Sequence, residues 1–403
     1  MRSTKEKYNN TRVGVDGSER SKGKGILGGI FRDGGGHIDK VLLVTTLLLA
    51  VFGTLTVFSA GGPYAEAKYG DEYYFIKRQV IWLILGALAM VLGSKLAPEF
   101  YKKMAIPVYC LSIVLLILTL VIGFTGNGAQ RWISIGPLTV QPSEIAKFGT
   151  VMMLAYYFDK NKMRATEPKS RGESFLYGTL IPLGIMLLPI VLVMLQRHLS
   201  CIVIMGVIGI LLIVLAGIDV RYILGFIGAG AAGVSALALF TDYTKDRITV
   251  WLDPEKYKLT GGWQTLEGLM AIGSGGILGK GFGRGELKYC YVSEPANDMI
   301  YAILCEELGF VGGLAVIILF AIFALRCFRI AFKTEDTYQR LLCLGICAQI
   351  TVQALLNIAV VTNTVPNTGI SLPFFSYGGS SLIMLLFEVG ILLSVSRDAR
   401  IVG

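Results

Sequence analysis

Charge is scarce in this chain of 403 residues, because only 16% of them are Asp, Glu, Lys or Arg while 54% are hydrophobic. Soluble globular domains carry about 25% charged residues, so this composition does not fit one. The mean hydropathy of +0.63 points the same way. The lack of charge excludes an ordinary soluble enzyme and indicates an integral membrane protein.

Histidine is also scarce, with two residues, and the seven cysteines show no metal-ligand spacing. Six cysteines fall within apolar runs and Cys290 alone falls in a loop, so we interpret them as small buried hydrophobic residues. His198 lies at the edge of an apolar run, where a satisfied or solvated side chain is more common than a catalytic one. The residues at a metal site, if there is one, stay unknown at this stage.

The first 40 residues lack a continuous apolar segment, so they do not form a cleavable signal peptide. They are polar, glycine-rich and basic, and we predict a disordered cytoplasmic tail over residues 1–40. The net charge of +9 is not accompanied by a basic domain interleaved with aromatic residues. We therefore exclude a nucleic-acid partner and interpret the basic residues as topology signals that also contact anionic membrane lipids.

Apolar runs of roughly twenty residues are abundant, and that is the length an α-helix needs to cross about 30 Å of hydrocarbon. They predict an all-α integral membrane protein with about ten transmembrane helices over residues 41–396, followed by a short cytoplasmic end at 397–403. The predicted spans are 41–60, 75–96, 105–124, 143–158, 174–195, 200–217, 222–240, 299–325, 341–363 and 376–396.

Lys and Arg cluster at alternate ends of successive apolar runs, which places both termini in the cytoplasm. With this orientation, residues 241–298 form a long extracytoplasmic loop between the seventh and eighth helices. Long loops on compact proteins are usually functional, so we expect the chemistry to lie on the extracytoplasmic side.

The long loop contains the glycine-rich stretch "AIGSGGILGKGFGRGE". It is not a phosphate-binding loop of the Walker type, because Ser274 and Gly281 occupy positions where that motif needs a glycine and a hydroxyl residue. Two interpretations stay open. The stretch is either a flexible or re-entrant loop that lets a large ligand approach the backbone, or a simple spacer.

Charged residues inside or beside the apolar runs are informative, because each costs roughly 2.5 to 3.5 kcal/mol at mid-membrane unless it is paired or hydrated. Glu144 and Lys147 are three residues apart on one predicted helix face and can pair. Their pair is either structural or part of a site. The same two interpretations apply to three more acidic residues, which either have a functional role or form hydrogen bonds across helices: Glu306, Glu307 and Glu388.

Charges of both signs meet on the predicted outer side, where the carboxylates are Asp298 and Glu294 and the cations are Arg131, Lys147 and Arg197. The cations suit a phosphate near the membrane surface. An aspartate that is partly desolvated at the bilayer edge has a raised pKa and can act as a general base. The set favours an anionic lipid-linked sugar as substrate.

Three long segments carry a resemblance to a known family: "GAQRWISIGPLTVQPSEIAK", "GSGGILGKGFGRGELKYCYVSEPANDMIYAILCEELGFVGG" and "PNTGISLPFFSYGGSS". They resemble, in the same order, the signature regions of the SEDS family of shape, elongation, division and sporulation proteins. The resemblance covers residues 40 to 396. It implies a ten-span peptidoglycan glycosyltransferase that polymerises lipid II outside the cytoplasmic membrane with a class B penicillin-binding protein, a transpeptidase.

The resemblance also assigns residues, and the essential aspartate of the family falls on Asp298. Glu294 precedes Pro295, the reverse of the family's order, so the role of Glu294 is left open. The stretch "LQRHLS" also departs from the family, which usually has an acidic residue where this chain has His198. The other residues that match the family motifs, and that we assign to substrate binding together with Glu294, are Arg131, Gln141, Ser143, Glu144, Lys147, Ser376 and Ser380.

The mechanism that follows as a hypothesis is an inverting transfer in which Asp298 deprotonates the acceptor sugar hydroxyl. Arg131 and Lys147 then stabilise the pyrophosphate leaving group, with a divalent cation (Mg²⁺ or Mn²⁺) as an optional helper. Two other functions stay open, a lipid II flippase and a non-catalytic scaffold of a division or elongation complex. Within the family, the long basic tail and "LQRHLS" favour the division type over the elongation and sporulation types.

Overall fold

The protein is described from a computed structural model that covers residues 36–126, 129–135, 138–166, 170–217, 225, 228, 242–259, 261–289 and 294–399. Almost all of the predicted tail at 1–40 and nearly all of the predicted seventh span at 222–240 lie outside these residues. The predictions for those two segments therefore stay predictions.

Helices dominate the described part of the chain. A π-helical turn at Leu176–Leu180 leads directly into α7. The helices are α1 Lys40–Tyr69, α2 Tyr74–Lys95, α3 Pro98–Ile122, α4 Pro142–Lys160, α5 Lys162–Thr166, α6 Arg171–Phe175, α7 Ile181–Leu195, α8 Leu199–Leu215, α9 Asp242–Leu252, α10 Trp263–Gly275, α11 Ile300–Lys333, α12 Thr337–Val361 and α13 Gly379–Ser396.

Among the described residues, seven helical segments are long and apolar enough to cross a membrane, namely α1, α2, α3, Leu176–Leu195, α11, α12 and α13. A shorter apolar helix, α8, accompanies them. The predicted all-α multi-pass membrane protein is confirmed. The helix α4 matches the predicted span at 143–158, but it carries more polar residues than the other spans because it is buried inside the bundle.

Three helices extend well beyond their predicted spans, and one of them, α3, begins at Pro98 instead of residue 105. The helix α1 continues to Tyr69 instead of residue 60, and α11 continues to Lys333 instead of residue 325. The 30 residues of α1, and the part of α11 that runs from its break at Gly309 to Lys333, both exceed the roughly twenty residues that cross the hydrocarbon layer. The extra turns therefore project beyond the apolar layer, where hydropathy gives no signal.

Small residues bring α2 and α13 close together. A side chain at Gly390 would place its Cβ 2.3 Å from the backbone oxygen of Met90, and one at Gly86 would collide with Leu386. Close backbone approach at glycine is the usual way for helices to gain van der Waals contact in a membrane. This pair is therefore packed closely, and its buried residues belong to the same hydrophobic core as those of α1, α11 and α12.

A small antiparallel sheet replaces the loop predicted at 125–142. Its strands are β1 Phe124–Gly126, β2 Ala129–Ile135 and β3 Leu138–Val140, in the order β1-β2-β3. The middle strand pairs on both sides, with Trp132 opposite Phe124 and Ile133 opposite Val140. The sheet lies between α3 and α4 and gives Arg131 a fixed position.

The glycine-rich stretch packs its backbone against α11. That helix is broken at Gly309, which has φ 67° and ψ −167°. Around the break, the Phe310 N–H donates to the Gly276 oxygen at 2.9 Å, and the Gly281 N–H donates to the Glu307 oxygen at 2.9 Å. The glycines therefore permit backbone pairing between the loop and a broken helix, a role that neither sequence interpretation included.

Candidate active site

Asp298 lies in a tight turn immediately before α11. Within this turn, the Asn297 N–H donates to the Glu294 backbone oxygen at 3.0 Å. The Asn297 side-chain amide also donates to the Glu294 carboxylate at 2.7 Å. Glu294 adopts φ 52°, a left-handed conformation that non-glycine residues rarely take. Glu294 therefore has a visible structural task in shaping the turn that presents Asp298.

The segment between α12 and α13, which contains the third family signature, supports this turn. The Tyr377 N–H donates to the Ala296 oxygen at 2.8 Å, and the Ser376 hydroxyl donates to the Asn297 oxygen at 2.7 Å. The same hydroxyl accepts from the Leu372 N–H at 2.7 Å. The structure thus places Ser376, a predicted substrate-binding residue, in the support of the turn.

The backbone at Gly369 lies directly beside the Asp298 carboxylate. A Cβ at Gly369 would lie 3.2 Å from Asp298 Oδ2, and the residue has a φ of +65°. Burial raises the pKa of Asp298 to about 6, and the neighbouring Glu294 charge adds to the rise, while Arg131 and Arg247 oppose it. A carboxyl group with this pKa is ionised at neutral pH and basic enough to accept a proton.

Arg131 is held beside Asp298 by contacts with the turn between α7 and α8. Its Nη2 donates to the Arg197 backbone oxygen at 2.6 Å. Arg197 has a φ of 55° in that turn, and the hydroxyl of Ser200 donates to the Thr368 oxygen. The predicted cation Arg131 and the loop beside Asp298 are therefore connected through one short turn.

Arg247 is a second cation at this site, and sequence reasoning did not identify it. It lies on α9, and its Nη1 donates to the Asn367 oxygen. Asn367 in turn donates to the Gln264 side-chain oxygen on α10 at 3.0 Å. Arg247 is one of several basic residues in the long loop and belongs to no family motif quoted above, so the sequence did not single it out.

Lys147 is buried in the bundle interior with an exposed fraction of 2%. Its Nζ binds Glu144 at 2.9 Å and donates to the Gln353 side-chain oxygen at 2.7 Å. The predicted Glu144 and Lys147 pair is therefore present. In this conformation it holds helices together and does not present Lys147 to an external phosphate.

The remaining predicted residues line the same region of α4 and α13. Ser143 Oγ lies 3.4 Å from His198 Nδ1, and the hydroxyl of Ser381 lies 3.5 Å from Glu144. Burial, followed by the charges of Arg131 and Lys147, lowers the pKa of His198 well below its ordinary value. Gln141 is the residue before α4 and Ser380 lies in the first turn of α13, and both are half-buried.

The acidic pair Glu306 and Glu307 holds the glycine-rich loop. Lys280 Nζ lies 2.9 Å from Glu306, and Lys288 Nζ lies 2.8 Å from Glu307. The Ser59 hydroxyl donates to Glu307 at 2.6 Å. These buried charges are paired, and they connect the loop to α11 and α1.

Within the described residues, no group of three or more His, Cys, Asp or Glu side chains could hold a metal ion. A divalent cation at the site stays a prediction.

The fold and site together define a class: a polytopic membrane protein with one basic carboxylate and two arginines at one end of the bundle. The family described as "Cell cycle protein", which comprises FtsW, RodA and SpoVE, matches residues 39–401. The chain belongs to this family, which is the one that its three motifs resemble.

Characterised relatives cover nearly the whole chain. It is 36% identical over 365 residues to stage V sporulation protein E of Bacillus subtilis, covering 90% of this chain and 98% of that protein. It is also 36% identical over 365 residues to a probable peptidoglycan glycosyltransferase FtsW of Geobacter metallireducens, covering 90% and 95%. Because sporulation and FtsW-type relatives are equally similar, the preference for the division type stays a prediction.

Solved structures agree with the fold. A chain of a peptidoglycan synthase complex, reported for its coordination of polymerization and crosslinking, has a TM-score of 0.76 at 27% identity, covering 90% of this chain and 99% of that chain. The rod shape determining protein RodA of Thermus thermophilus has a TM-score of 0.66 at 27% identity, covering 90% and 98%.

Proposed function

We propose that this protein is a peptidoglycan glycosyltransferase that polymerises lipid II, with Asp298 as the general base. One observation carries the proposal most directly. Asp298 is a half-buried carboxylate whose pKa is raised to about 6, and it lies close to the positive charges of Arg131 and Arg247. This combination suits a substrate that brings both a sugar hydroxyl and a pyrophosphate.

The position of Asp298 along α11 suits a lipid-linked sugar. The uninterrupted apolar stretch of α11 begins at Leu308, about ten residues after Asp298, or roughly 15 Å along a helix. That offset is about twice the roughly 5 to 8 Å thickness of one headgroup layer, so Asp298 lies on the aqueous side of the headgroups and near them. A sugar joined to a membrane-embedded chain through pyrophosphate would therefore meet the carboxylate with its chain still in the bilayer.

The orientation rests on the basic residues at the opposite end of the bundle. Lys102, Lys162 and Lys333 lie at that end, beside the start of α1. Because Lys and Arg favour the cytoplasmic side, this arrangement supports cytoplasmic termini and an extracytoplasmic Asp298. The enzyme would then work on the outer face of the plasma membrane.

The proposed step is a displacement with inversion at the anomeric carbon of the growing strand. Asp298 accepts the proton of the 4-hydroxyl of the acceptor sugar as that oxygen forms the new bond to the anomeric carbon. The bond from that carbon to the pyrophosphate oxygen breaks, and undecaprenyl pyrophosphate leaves as an anion. The leaving group needs no proton, so a cationic environment is enough.

Arg131 and Arg247 supply that environment in the conformation described. Arginine presents several N–H groups in a fixed plane that matches phosphate oxygens. Lys147 acts indirectly, by holding α4 and α12 through Glu144 and Gln353. The direct contact of Lys147 with substrate that the family resemblance implied thus has no support from this geometry.

A crosslinking partner is also proposed. The related chain of known structure is part of a synthase complex in which polymerization and crosslinking are coordinated. A class B penicillin-binding protein would receive the strand that this enzyme makes, within a division or elongation complex. Its surface on this chain is left open.

Purified full-length protein with labelled lipid II provides the test, with glycan length read on a gel. Asp298→Asn is expected to slow lengthening roughly 10²- to 10⁴-fold, the usual contribution of a general base, and to leave a measurable residual rate, while Glu255→Gln, at an exposed glutamate, retains it. The Asn variant is expected to fold, because a carboxylate whose pKa is raised by burial opposes folding at neutral pH. Normal lengthening by Asp298→Asn would overturn the assignment of the base. Relocation of lipid II across vesicles without lengthening by the unmodified protein would instead favour a flippase.

A further inference from the structure

Two amide side chains lie one turn apart inside the membrane-spanning helix α12. Asn357 is 0% exposed and Gln353 is 2% exposed. An amide buried in a membrane span is costly unless its hydrogen-bonding groups are used. Their partners therefore indicate why they are present, and neither residue belongs to the site assigned so far.

Asn357 holds the backbone of the base. Its Nδ2 donates to the Asp298 backbone oxygen at 2.9 Å and to the Ile370 oxygen at 2.6 Å. The first bond fixes Asp298, two residues before α11, and the second fixes the loop beside Gly369. One amide group thus joins the two backbone segments between which the Asp298 carboxylate lies.

Gln353 connects the same loop to the buried ion pair. Its Nε2 donates to the Ser371 backbone oxygen at 3.1 Å and to the Ser371 hydroxyl at 3.2 Å. Its side-chain oxygen accepts from Lys147 Nζ at 2.7 Å. A continuous set of contacts therefore runs from Lys147 on α4, through α12 and residues 370 and 371, to Asp298.

We propose that Asn357 and Gln353 are positioning residues, which set the location of the Asp298 carboxylate relative to the sugar hydroxyl. This inference rests on the proposed role of Asp298 as the base. Asn357 bonds to the backbone oxygen of Asp298 itself, so any shift of that backbone also moves the Asp298 carboxylate. A displacement of about 1 Å at such a group costs on the order of 100-fold in rate, so the amides act on catalysis without touching substrate.

The test measures kcat and KM for lipid II polymerisation by the purified full-length chain. Asn357→Asp replaces the donor by an acceptor of the same shape, and is expected to lower kcat about 100-fold while KM changes little. Gln353→Glu keeps the acceptor for Lys147 and loses only the donor to Ser371, and is expected to lower kcat more mildly. Leu355→Ala, on the exposed side of α12, is the matched control and is expected to keep kcat.

A double variant separates positioning from general damage. Asn357→Asp added to Asp298→Asn is expected to cause no further loss, because residues that act as a unit are not additive. The positioning role is overturned if Asn357→Asp and Gln353→Glu keep kcat, or if their losses match a loss of thermal stability and add to that of Asp298→Asn. If Asp298→Asn itself stays active, the proposed function fails instead. If Asn357→Asp does not fold, kcat of Gln353→Glu alone decides whether the positioning role holds.

Discussion

At the scale of single residues, the neighbouring carboxylates Glu294 and Asp298 have separate tasks. Glu294 shapes the turn through Asn297, and its charge also raises the pKa of Asp298. Arg247 has the opposite effect on that pKa. The base is therefore tuned by neighbours of both signs, and the pH dependence of the rate reports on each.

The polymerisation rate is predicted to fall as pH decreases through about 6, because protonated Asp298 cannot accept a proton. Removing the nearby negative charge with Glu294→Gln lowers the pKa of Asp298, so the acidic limb of the profile moves to lower pH. Removing a positive charge with Arg247→Gln raises that pKa, so the limb moves to higher pH. The measurement is kcat against pH with saturating lipid II.

Opposite shifts in two variants are a stringent result, because loss of structure would not produce them. Glu255→Gln, which removes an exposed charge, serves as the control and should leave the limb in place. Shifts in the same direction, or none, would contradict the assignment of Asp298 as the titrating group.

At the scale of elements, the glycine-rich loop and α11 form one unit through backbone contact. Gly279 has a φ of +79°, and a Cβ there would lie 2.2 Å from the backbone oxygen of Glu307. Gly283 has nearly the same conformation, with a φ of +80°, but nothing lies within 4 Å of its Cβ position. A comparison of alanine substitutions at the two glycines therefore distinguishes the cost of backbone strain from the cost of a steric collision.

Gly279→Ala is predicted to destabilise the protein clearly more than Gly283→Ala. Both variants carry the cost of a left-handed alanine, about 1 kcal/mol, but only the first also separates the loop from α11. The comparison is made by thermal unfolding of the purified proteins in detergent. Equal losses of stability would show that the close contact with Glu307 does not matter.

An element can be predicted from the sequence only where its hydropathy or residue spacing forms a clear pattern. Apolar runs predicted the described spans to within a few residues, except at the ends of α1 and α11 and at the start of α3, where the helices continue beyond the apolar run. The pairing of Glu144 with Lys147 followed from their spacing. The sheet that carries Arg131 was missed, because strands of 3 and 7 residues beside glycines give almost no periodic signal.

The residues of the candidate site also differ in how clearly the sequence indicates them. Asp298 was found through the family motif, but its pKa is raised by burial and by Glu294 and lowered by Arg131 and Arg247, and both arginines are distant from it in sequence. Asn357 and Gln353 looked like ordinary polar residues in an apolar run. Their importance comes from which backbone oxygens they meet, and only the packed structure contains that information.

At the scale of the whole molecule, the two ends of the bundle are chemically different. One end carries Asp298 with its arginines, while the other end ties α1 to α11 through Arg326 and Asp39 at 2.5 Å. Lys102 pairs with Asp159 at 2.6 Å at that same end. The proposed reaction requires the first end to lie outside the cell, so the orientation can be tested without any assay of activity.

Cysteine labelling in intact cells is predicted to distinguish the two ends. In a variant that lacks the native cysteines, Lys256→Cys lies on the Asp298 side and Lys333→Cys lies at the far end of α11, and both positions are exposed. A membrane-impermeant maleimide should label the first directly and the second only after permeabilisation, because basic helix ends stay in the cytoplasm. The reverse pattern would place Asp298 in the cytoplasm, away from the growing wall, and would rule out polymerisation at the outer face even if the purified protein were active.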